Sequence, residues 1–400
     1  MGRIEFIGLI AMMFATIAFS IDAMLPALPE IANELSPGNA NRAALTLTSF
    51  VLGMGIGTFI AGPLSDAYGR RNVLFAGTLL YIAAALVAWA SKTLEVMLIA
   101  RVIQGFGAAA PRIVAIAIVR DLYGGAQMAR IVSFVMLVFT LVPAFAPAMG
   151  AFIIIASGWR TIFLSFVVFA TITVIWMAFR MPETLDDADR RPFRIKPMAI
   201  AVKEIFAHPL VRLSIFVQTL AMGMLFLTLM LIQPIYADTF GRADSFPYWT
   251  GLIAILAGSA SLFNAMVVVR VGMQRLVTLT LGIQTIIAVV GLVLNPASMM
   301  EPYGFAIFLV WQFCIFFQAG LTLGNLNAIA MEPMGHVAGM AASVIGGVST
   351  IFAAAIASIV TLLFPPTVNS LIAAVLVMAL VGFAIMRHMA RVSRQMAIAE

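Results

Sequence analysis

Charged side chains inside long apolar runs mark the positions at which this sequence can do chemistry. Asp22, Arg101 and Arg112 are the three charged residues that lie away from the ends of runs long enough to cross a bilayer. A charge inside a membrane is costly, and such residues are functional by default. A carboxyl group at this depth can carry a proton, because apolar surroundings favour its protonated form and a nearby cation favours its ionised form.

Asp22 and Arg101 are predicted to lie at the same depth in the membrane. Each lies about six or seven residues from the outer end of its run, which is roughly 10 Å along a helix. Pro26 removes the helical hydrogen bond to the Asp22 carbonyl and loosens the helix there. We predict that Asp22 carries the proton and contacts substrate, with Arg101 coupled to it. The alternative is an Asp22–Arg101 ion pair that only joins two helices, although such pairs stabilise poorly compared with apolar residues.

Arg112 is predicted to share a helix face with Arg101. The two residues are eleven positions apart, which corresponds to about three full turns. An arginine with no acid at its level, beside a water-filled cavity, would bind an anionic group of a substrate. The alternative is that Arg112 bonds backbone carbonyls freed by Pro111, or reaches the helix end near Asp121.

Membrane helices must position these residues. The chain of 400 residues is 63% hydrophobic and 10% charged, whereas soluble domains carry about 25% charged residues. Twelve runs have the length of a membrane span, and they lie near 6–28, 43–65, 73–90, 94–119, 131–156, 161–179, 213–236, 248–269, 276–294, 303–331, 337–364 and 368–386. The predicted fold is an all-α membrane protein with twelve transmembrane helices in two six-helix bundles.

A long polar segment separates the two sets of six runs. We predict an N-terminal bundle over 1–180, a cytoplasmic linker over 181–212, a C-terminal bundle over 213–390 and a cytoplasmic tail over 391–400. With the N-terminus inside, most of the 23 lysines and arginines fall in inside segments, which favours two cytoplasmic termini. Parallel repeats of six spans place a site near the midplane between the halves. The repeat is faint, since GRRNVL from Gly69 has only a loose counterpart, GMQRLV, from Gly272.

The second set of runs contains amides in place of charges. They are Gln218, Gln233, Asn264, Gln284, Gln312, Gln318, Asn325 and Asn327. Such amides more often bond between membrane helices than to a ligand, so we assign none of them to a site. The methionines and phenylalanines of this half would form an adaptable apolar wall.

Other classes of protein are disfavoured by what the sequence lacks. HExxH and GxSxG do not occur, and the three histidines lie at loops or helix ends, which disfavours an enzyme. The single cysteine, Cys314, excludes an intramolecular disulfide, and no Cys/His cluster suggests a metal or cofactor. Basic residues are scattered between apolar runs and do not form the solvated patch that nucleic acid requires. No filter sequence indicates a channel. A passive facilitator is still an alternative at this point.

Three motifs in the first half carry a family resemblance. GPLSDAYGRRNVL (62–74) resembles the signature loop of the major facilitator superfamily, RVIQG (101–105) resembles its second motif, and APAMGA (146–151) is similar to its antiporter motif. With SIDAMLPALP (20–29) and PETL (182–185), this half resembles the Bcr/CflA subgroup of proton-coupled drug exporters. The resemblance is dense over about the first 185 residues and architectural beyond them. It also assigns the acid of span 1 and the arginine of RVIQG to proton and substrate coupling.

The resemblance further implies a cytoplasmic gate at the signature loop. Its residues are Gly62, Asp66, Gly69, Arg70, Arg71 and Asp121. In the family, the aspartate and the first arginine of the loop form an interhelical charge cluster that holds the cytoplasmic side closed, with the aspartate facing the start of span 11. The alternative, that these are ordinary topology charges, fits Arg71 but explains the whole pattern poorly.

The antiporter motif implies a bent helix in span 5. Pro143, Pro147 and Gly150 are its helix-bend residues. Ala146 and Ala151 stand where glycines are common in the family, and alanine still permits close packing of membrane helices.

These features predict a proton-coupled antiporter that exports small amphipathic compounds by alternating access. We expect a multi-pass protein of a bacterial inner membrane, monomeric, with protons, a small-molecule substrate and lipid as its partners. The alternative is a proton-coupled symporter or a facilitator for a small metabolite, including an anionic one, since the same acid can drive solute in either direction.

Overall fold

Fourteen α-helices make up most of the computed structural model, which describes residues 1–123, 125–186, 188, 190 and 195–399. The first seven are α1 Arg3–Asp22, α2 Leu28–Leu35, α3 Leu45–Tyr68, α4 Arg70–Trp89, α5 Leu94–Leu122, α6 Gly125–Ser157 and α7 Thr161–Arg180. The others are α8 Ile195–Ala207, α9 Pro209–Pro234, α10 Phe246–Val271, α11 Met273–Leu294, α12 Tyr303–Met331, α13 Ala338–Leu363 and α14 Val368–Ala399.

The helices have the length and composition of membrane spans. In the described chain, 11 helical stretches are long and apolar enough to cross a bilayer, and α6 adds a shorter apolar stretch at Leu141–Ser157. No β-strand is formed by the residues that the structure describes. The predicted all-α membrane fold is therefore confirmed, with α6 as the helix that completes the predicted twelve.

The chain divides into two compact units, Met1–Ile195 and Lys196–Glu400. Helices occupy parts of the segments that were predicted as linker and tail. Helix α8 occupies part of 181–212 and α9 already begins at Pro209, while α14 continues through the predicted tail to Ala399. Alanine, methionine, glutamine and arginine are strong helix formers, so the last span continues as a helix after its apolar run ends.

Helix α1 is interrupted directly after Asp22. The α-helix gives way to a 3₁₀ turn at Leu25–Ala27, and α2 then begins at Leu28. Pro26 lies in the turn and cannot donate a helical hydrogen bond. The predicted loosening of the helix near Asp22 is present as this short 3₁₀ segment, which we call the break in α1, although the backbone stays in the right-handed helical region at Ala23, Met24 and Ala27.

Glycines bring α3 and α5 into close contact in the first unit. A side chain at Gly105 would overlap the Phe50 carbonyl oxygen, and one at Gly53 would overlap the Val102 carbonyl oxygen. Small residues let membrane helices approach until their backbones touch. This contact fixes the segment of α5 that carries Arg101 against α3.

Two equivalent turns reveal the internal repeat. Gly69 joins α3 to α4 with φ +93° and ψ 150°, and Gly272 joins α10 to α11 with φ +85° and ψ 144°. This backbone region is accessible to glycine and rare for other residues. The faint match between GRRNVL and GMQRLV thus marks the same tight turn in each half.

Candidate functional site

Asp22 lies buried at the end of α1. Its side chain is 7% exposed and stands where the helix breaks. Among the hydrogen bonds and ion pairs of the described residues, none involves the Asp22 carboxyl group. A buried carboxyl group without a partner is costly to ionise, so this position is suited to gaining and losing a proton as its surroundings change.

Arg101 is completely buried on α5, and each of its three side-chain nitrogens donates a hydrogen bond. Its Nε donates to the Thr46 carbonyl oxygen (3.1 Å), its Nη1 to Gln104 Oε1 (2.8 Å) and its Nη2 to the Ser20 carbonyl oxygen (3.0 Å). The guanidinium also lies 4.4 Å from the centre of the Phe50 ring, a favourable arrangement for a cation. Carbonyl dipoles, an amide and a ring therefore hold this charge inside the unit.

The ion pair between Asp22 and Arg101, which was the alternative interpretation, is not formed in the described part of the chain. The reason is that the donors of Arg101 are directed to Thr46, Gln104 and Ser20. Arg101 does reach α1, but through the backbone of Ser20, two residues before Asp22. The interpretation of the two residues as a locking pair is therefore wrong for this structure, and Asp22 lacks the partner that would hold it ionised.

Ser20 and Tyr81 form a hydrogen bond that the sequence did not reveal. The Tyr81 hydroxyl on α4 lies 2.5 Å from Ser20 Oγ, which also donates to the Thr16 carbonyl oxygen at 2.6 Å. Serine has one hydroxyl proton, so Tyr81 is the donor to Ser20. The available signal was a tyrosine in an apolar span, whose hydroxyl needs a partner when buried. We call Ser20, Asp22, Tyr81, Arg101 and Gln104 the Asp22 site.

Helix α6 packs against the break in α1. A side chain at Gly150 would overlap the carbonyl oxygen of Ala23, the residue after Asp22. Pro143 and Pro147 lie inside α6, and Ala146 is 1% exposed. The antiporter-like motif is thus brought to the Asp22 site through the one glycine that allows the contact.

Arg112 lies partly exposed on α5, and the polar contact described for it is to Met54 Sδ at 4.0 Å. Neither expected alternative is found in the described residues, since Asp121 bonds Arg70 and no backbone carbonyl bonded to Arg112 is described. A thioether is a weak acceptor. The guanidinium therefore keeps most of its donors available.

The predicted gate residues meet around Arg70, which is 4% exposed. Its Nη1 donates to Ser65 Oγ (2.7 Å) and Asp66 Oδ1 (2.5 Å), and its Nε donates to Asp121 Oδ2 (3.0 Å). Ser65 Oγ in turn donates to the Gly62 carbonyl oxygen. These bonds tie the end of α3, the start of α4 and the end of α5 together.

Glu183 completes this cluster from the segment after α7. Its carboxylate accepts from the backbone N–H groups of Arg70 (2.9 Å) and Arg71 (3.0 Å). A carboxylate is favourable at a helix N-terminus, where N–H groups have no helical acceptor. Gly69 allows the approach, because a side chain there would lie 2.6 Å from Glu183 Oε2.

The sequence contained Glu183 in PETL but gave it no role. We call Ser65, Asp66, Arg70, Asp121 and Glu183 the Arg70 cluster. The predicted gate residue Arg71 lies beside the cluster, where its Nη2 donates to the Ala178 carbonyl oxygen at 2.7 Å.

Some of the amides of the second unit bond to other side chains within that unit. Asn325 Nδ2 on α12 donates to Asn264 Oδ1 on α10 at 2.7 Å. The buried Tyr236 hydroxyl donates to Gln312 Oε1 at 2.8 Å. The described residues contain no group of three metal-binding side chains.

Comparison with known proteins agrees with the motifs. A family model described as Major Facilitator Superfamily matches residues 8–358. The bicyclomycin resistance protein homolog of Haemophilus influenzae is 28% identical over 348 residues, which cover 86% of this chain and 85% of that protein. Multidrug resistance protein MdtL of Salmonella schwarzengrund is 27% identical over 333 residues, which cover 82% of this chain and 80% of that protein.

A solved structure shares the fold. The D-xylose–proton symporter matches with a TM-score of 0.74 at 14% identity, over 95% of this chain and 97% of that one. The resemblance to drug-resistance members of the superfamily that the motifs indicated is confirmed by the resistance proteins above. The chain belongs to the Major Facilitator Superfamily and is a multi-pass membrane protein.

Proposed function

We propose that this protein is a proton-coupled antiporter that exports small amphipathic compounds by alternating access. It acts as a monomer in a bacterial inner membrane, with both termini in the cytoplasm. The observation that carries the proposal is the unpartnered, buried carboxyl group of Asp22 at the break in α1.

The break gives Asp22 a way to exchange its proton. In apolar surroundings the neutral carboxyl is favoured, and access to water favours ionisation. Rearrangement of the interrupted segment between α1 and α2 changes that access, while α6 holds Ala23 through Gly150. Proton entry supplies the driving force, since one unit charge crossing the membrane contributes about 2.3 kcal/mol per 100 mV.

The export of drug-like compounds is supported by the relatives, which are a bicyclomycin resistance protein homolog and a multidrug resistance protein. Arg101 positions α1 through the Ser20 carbonyl oxygen, and Asp22 contacts both proton and substrate. The Arg70 cluster closes the cytoplasmic end.

The first prediction concerns Asp22 itself. In inverted vesicles with an acidic lumen, the protein should accumulate bicyclomycin or another exported compound as protons leave, and dissipating the pH gradient should stop accumulation. Asp22→Asn should abolish this transport while the protein still folds and inserts, because asparagine has a similar size but does not titrate. The exposed Asp244→Asn is the matched control and should transport normally.

Two results would contradict the proposal. Full gradient-driven transport by Asp22→Asn would remove Asp22 as the proton carrier. Uptake into right-side-out vesicles that requires protons moving in with the solute would make the protein a symporter.

The second candidate function is symport or facilitated transport of a small anionic metabolite. Arg112 favours it, because this arginine has only a weakly accepting sulfur as its described polar contact. A substrate carboxylate or phosphate would form stronger, charge-assisted bonds with it.

A further inference from the structure

We propose that Tyr81 is a positioning residue that couples the Asp22 site to the Arg70 cluster through helix α4. The inference rests on the proposed function, in which the first site binds the proton and the second closes the cytoplasmic end. It assigns a role to a residue that no motif in the sequence singles out.

Helix α4 joins the two sites in one rigid element. It begins at Arg70, and Tyr81 follows eleven residues later on the same uninterrupted helix, a distance of about 16 Å along the axis. No proline or other break lies between them. A displacement imposed at Tyr81 is therefore carried to the first turn of α4, and is not absorbed by local bending.

At one end, α4 is bound to the segment that carries Asp22. The Tyr81 hydroxyl donates to Ser20 Oγ, and the Ser20 carbonyl oxygen accepts from Arg101. Asp22 lies two residues further, where α1 ends. Ser20 is thus the residue through which both α4 and α5 hold the end of α1, and any movement of that end must stretch or release these two bonds.

The backbone at Tyr81 cannot absorb such a movement easily. Helices α4 and α5 are in close contact there, since a side chain at Gly107 would lie 2.8 Å from the Tyr81 backbone nitrogen. The tyrosine is 1% exposed. Tight packing transmits displacement because interiors have little free volume.

At the other end, the first turn of α4 is held by side chains from three other segments. Asp66 and Asp121 bond the Arg70 side chain, and Glu183 accepts from the backbone N–H groups of Arg70 and Arg71. A shift of α4 along or about its axis lengthens several of these bonds together. When a proton neutralises Asp22, the break in α1 rearranges and Ser20 moves. Because Ser20 is hydrogen-bonded to Tyr81, its movement displaces α4, and the displaced helix weakens the bonds of the Arg70 cluster.

Hydrogen exchange of the backbone amides in 70–76 tests the coupling without any ligand. The Glu183 bonds protect the first of these amides, so their exchange rate reports opening of the Arg70 cluster. Asp22→Asn serves as a mimic of the protonated carboxyl. It should speed exchange about tenfold, equivalent to about 1.4 kcal/mol, when Tyr81 is present. In the Tyr81→Phe background, Asp22→Asn should speed exchange less than about twofold. The reason is that the lost coupling is roughly the contribution of one typical hydrogen bond.

Tyr236→Phe is the matched control. It also removes one hydroxyl from a fully buried tyrosine with one side-chain acceptor, but in the second unit. Asp22→Asn should have its full effect on 70–76 in this background. Ser20→Ala removes the hydrogen bond to Tyr81 by deleting its acceptor, and it keeps the Ser20 backbone carbonyl that bonds Arg101. It should therefore give the same result as Tyr81→Phe, and it replaces Tyr81→Phe in the test if the latter does not fold.

Equal responses to Asp22→Asn with and without the Tyr81 hydroxyl would overturn the inference. An absence of any response to Asp22→Asn in the otherwise unaltered protein would also overturn it. The same holds if Tyr236→Phe reduces the response as much as Tyr81→Phe does. Failure of the proposed function is distinguishable, since it is measured as retained proton-driven transport by Asp22→Asn in vesicles. The exchange experiment involves neither a gradient nor a substrate.

Discussion

Two arginines on α5 have the same charge but different surroundings. Arg101 is bonded to three acceptors and stacked on Phe50, whereas Arg112 has a described polar contact with Met54 Sδ alone. A guanidinium whose donors are satisfied by the protein stabilises the fold, and one whose donors are available can bind a ligand. The two residues should therefore differ in what their removal does.

Removing Arg112 should weaken binding of acidic compounds selectively. Arg112→Ala should raise the dissociation constant of an anionic ligand about tenfold or more, since a charge-assisted hydrogen bond contributes about 1.5–3 kcal/mol, and should have little effect on a cation. Arg112→Lys keeps the charge and should restore part of the affinity. Titration of one anionic and one cationic ligand against each purified variant is the measurement. Equal losses for both ligands would return Arg112 to a structural role.

At this scale the sequence singled out the charged residues of the spans but did not reveal the groups that they contact. Asp22, Arg101 and Arg112 stand out because charges are rare in apolar runs. Two of the three partners of Arg101 are the backbone carbonyls of Ser20 and Thr46 on other helices, and no spacing in the sequence predicts such contacts. For the same reason equal depth in the membrane left the Asp22–Arg101 pair as an alternative that the structure excludes, and Tyr81 was missed.

At the scale of elements, a break and a close contact coincide. Helix α1 ends at Asp22, and α6 touches the next residue through Gly150. Pro26 predicted the break because proline cannot donate a helical bond. The contact with α6 was predictable only as a family motif, since which backbone atom meets a glycine depends on how two helices cross. Apolar runs likewise predicted the spans well, but they predicted neither helix α8 nor the continuation of α14 beyond its apolar run.

Adding a methyl group at Gly150 should separate these two helices. Gly150→Ala places its side chain against the Ala23 carbonyl oxygen, and overpacking of this kind costs about 1–3 kcal/mol of stability. Gly324→Ala is the control, because open space surrounds that glycine and alanine favours helix. Thermal unfolding should show a lower midpoint for Gly150→Ala alone, and gradient-driven transport should fall with it. Similar midpoints for both variants would contradict the packing argument.

At the scale of the whole molecule, the two halves share a turn but not its chemistry. Gly69 and Gly272 have nearly the same backbone angles. In the first half the turn is followed by Arg70, with its acids Asp66 and Asp121, whereas Met273 follows Gly272 in the second. The sequence showed the repeat through the glycine at each of the two turns, because the turn requires glycine. Among the residues that the structure describes, this charge cluster lies in the first half alone, and under the proposed function control of the cytoplasmic end should reside there.

Asp66→Ala tests this asymmetry. Loss of one acidic partner of Arg70 should shift the protein toward inward-open forms by about fivefold, since a partly exposed ion pair contributes about 1 kcal/mol or less. Turnover should slow by a similar factor while the dissociation constant of substrate changes less than about twofold, because the cluster biases two states without touching solute. Val269 occupies the position equivalent to Asp66 before Gly272, and Val269→Ala should change neither quantity. Transport rates and equilibrium binding of substrate are measured on both variants. If Asp66→Ala loses as much binding as turnover, Asp66 belongs to the binding site and not to the gate.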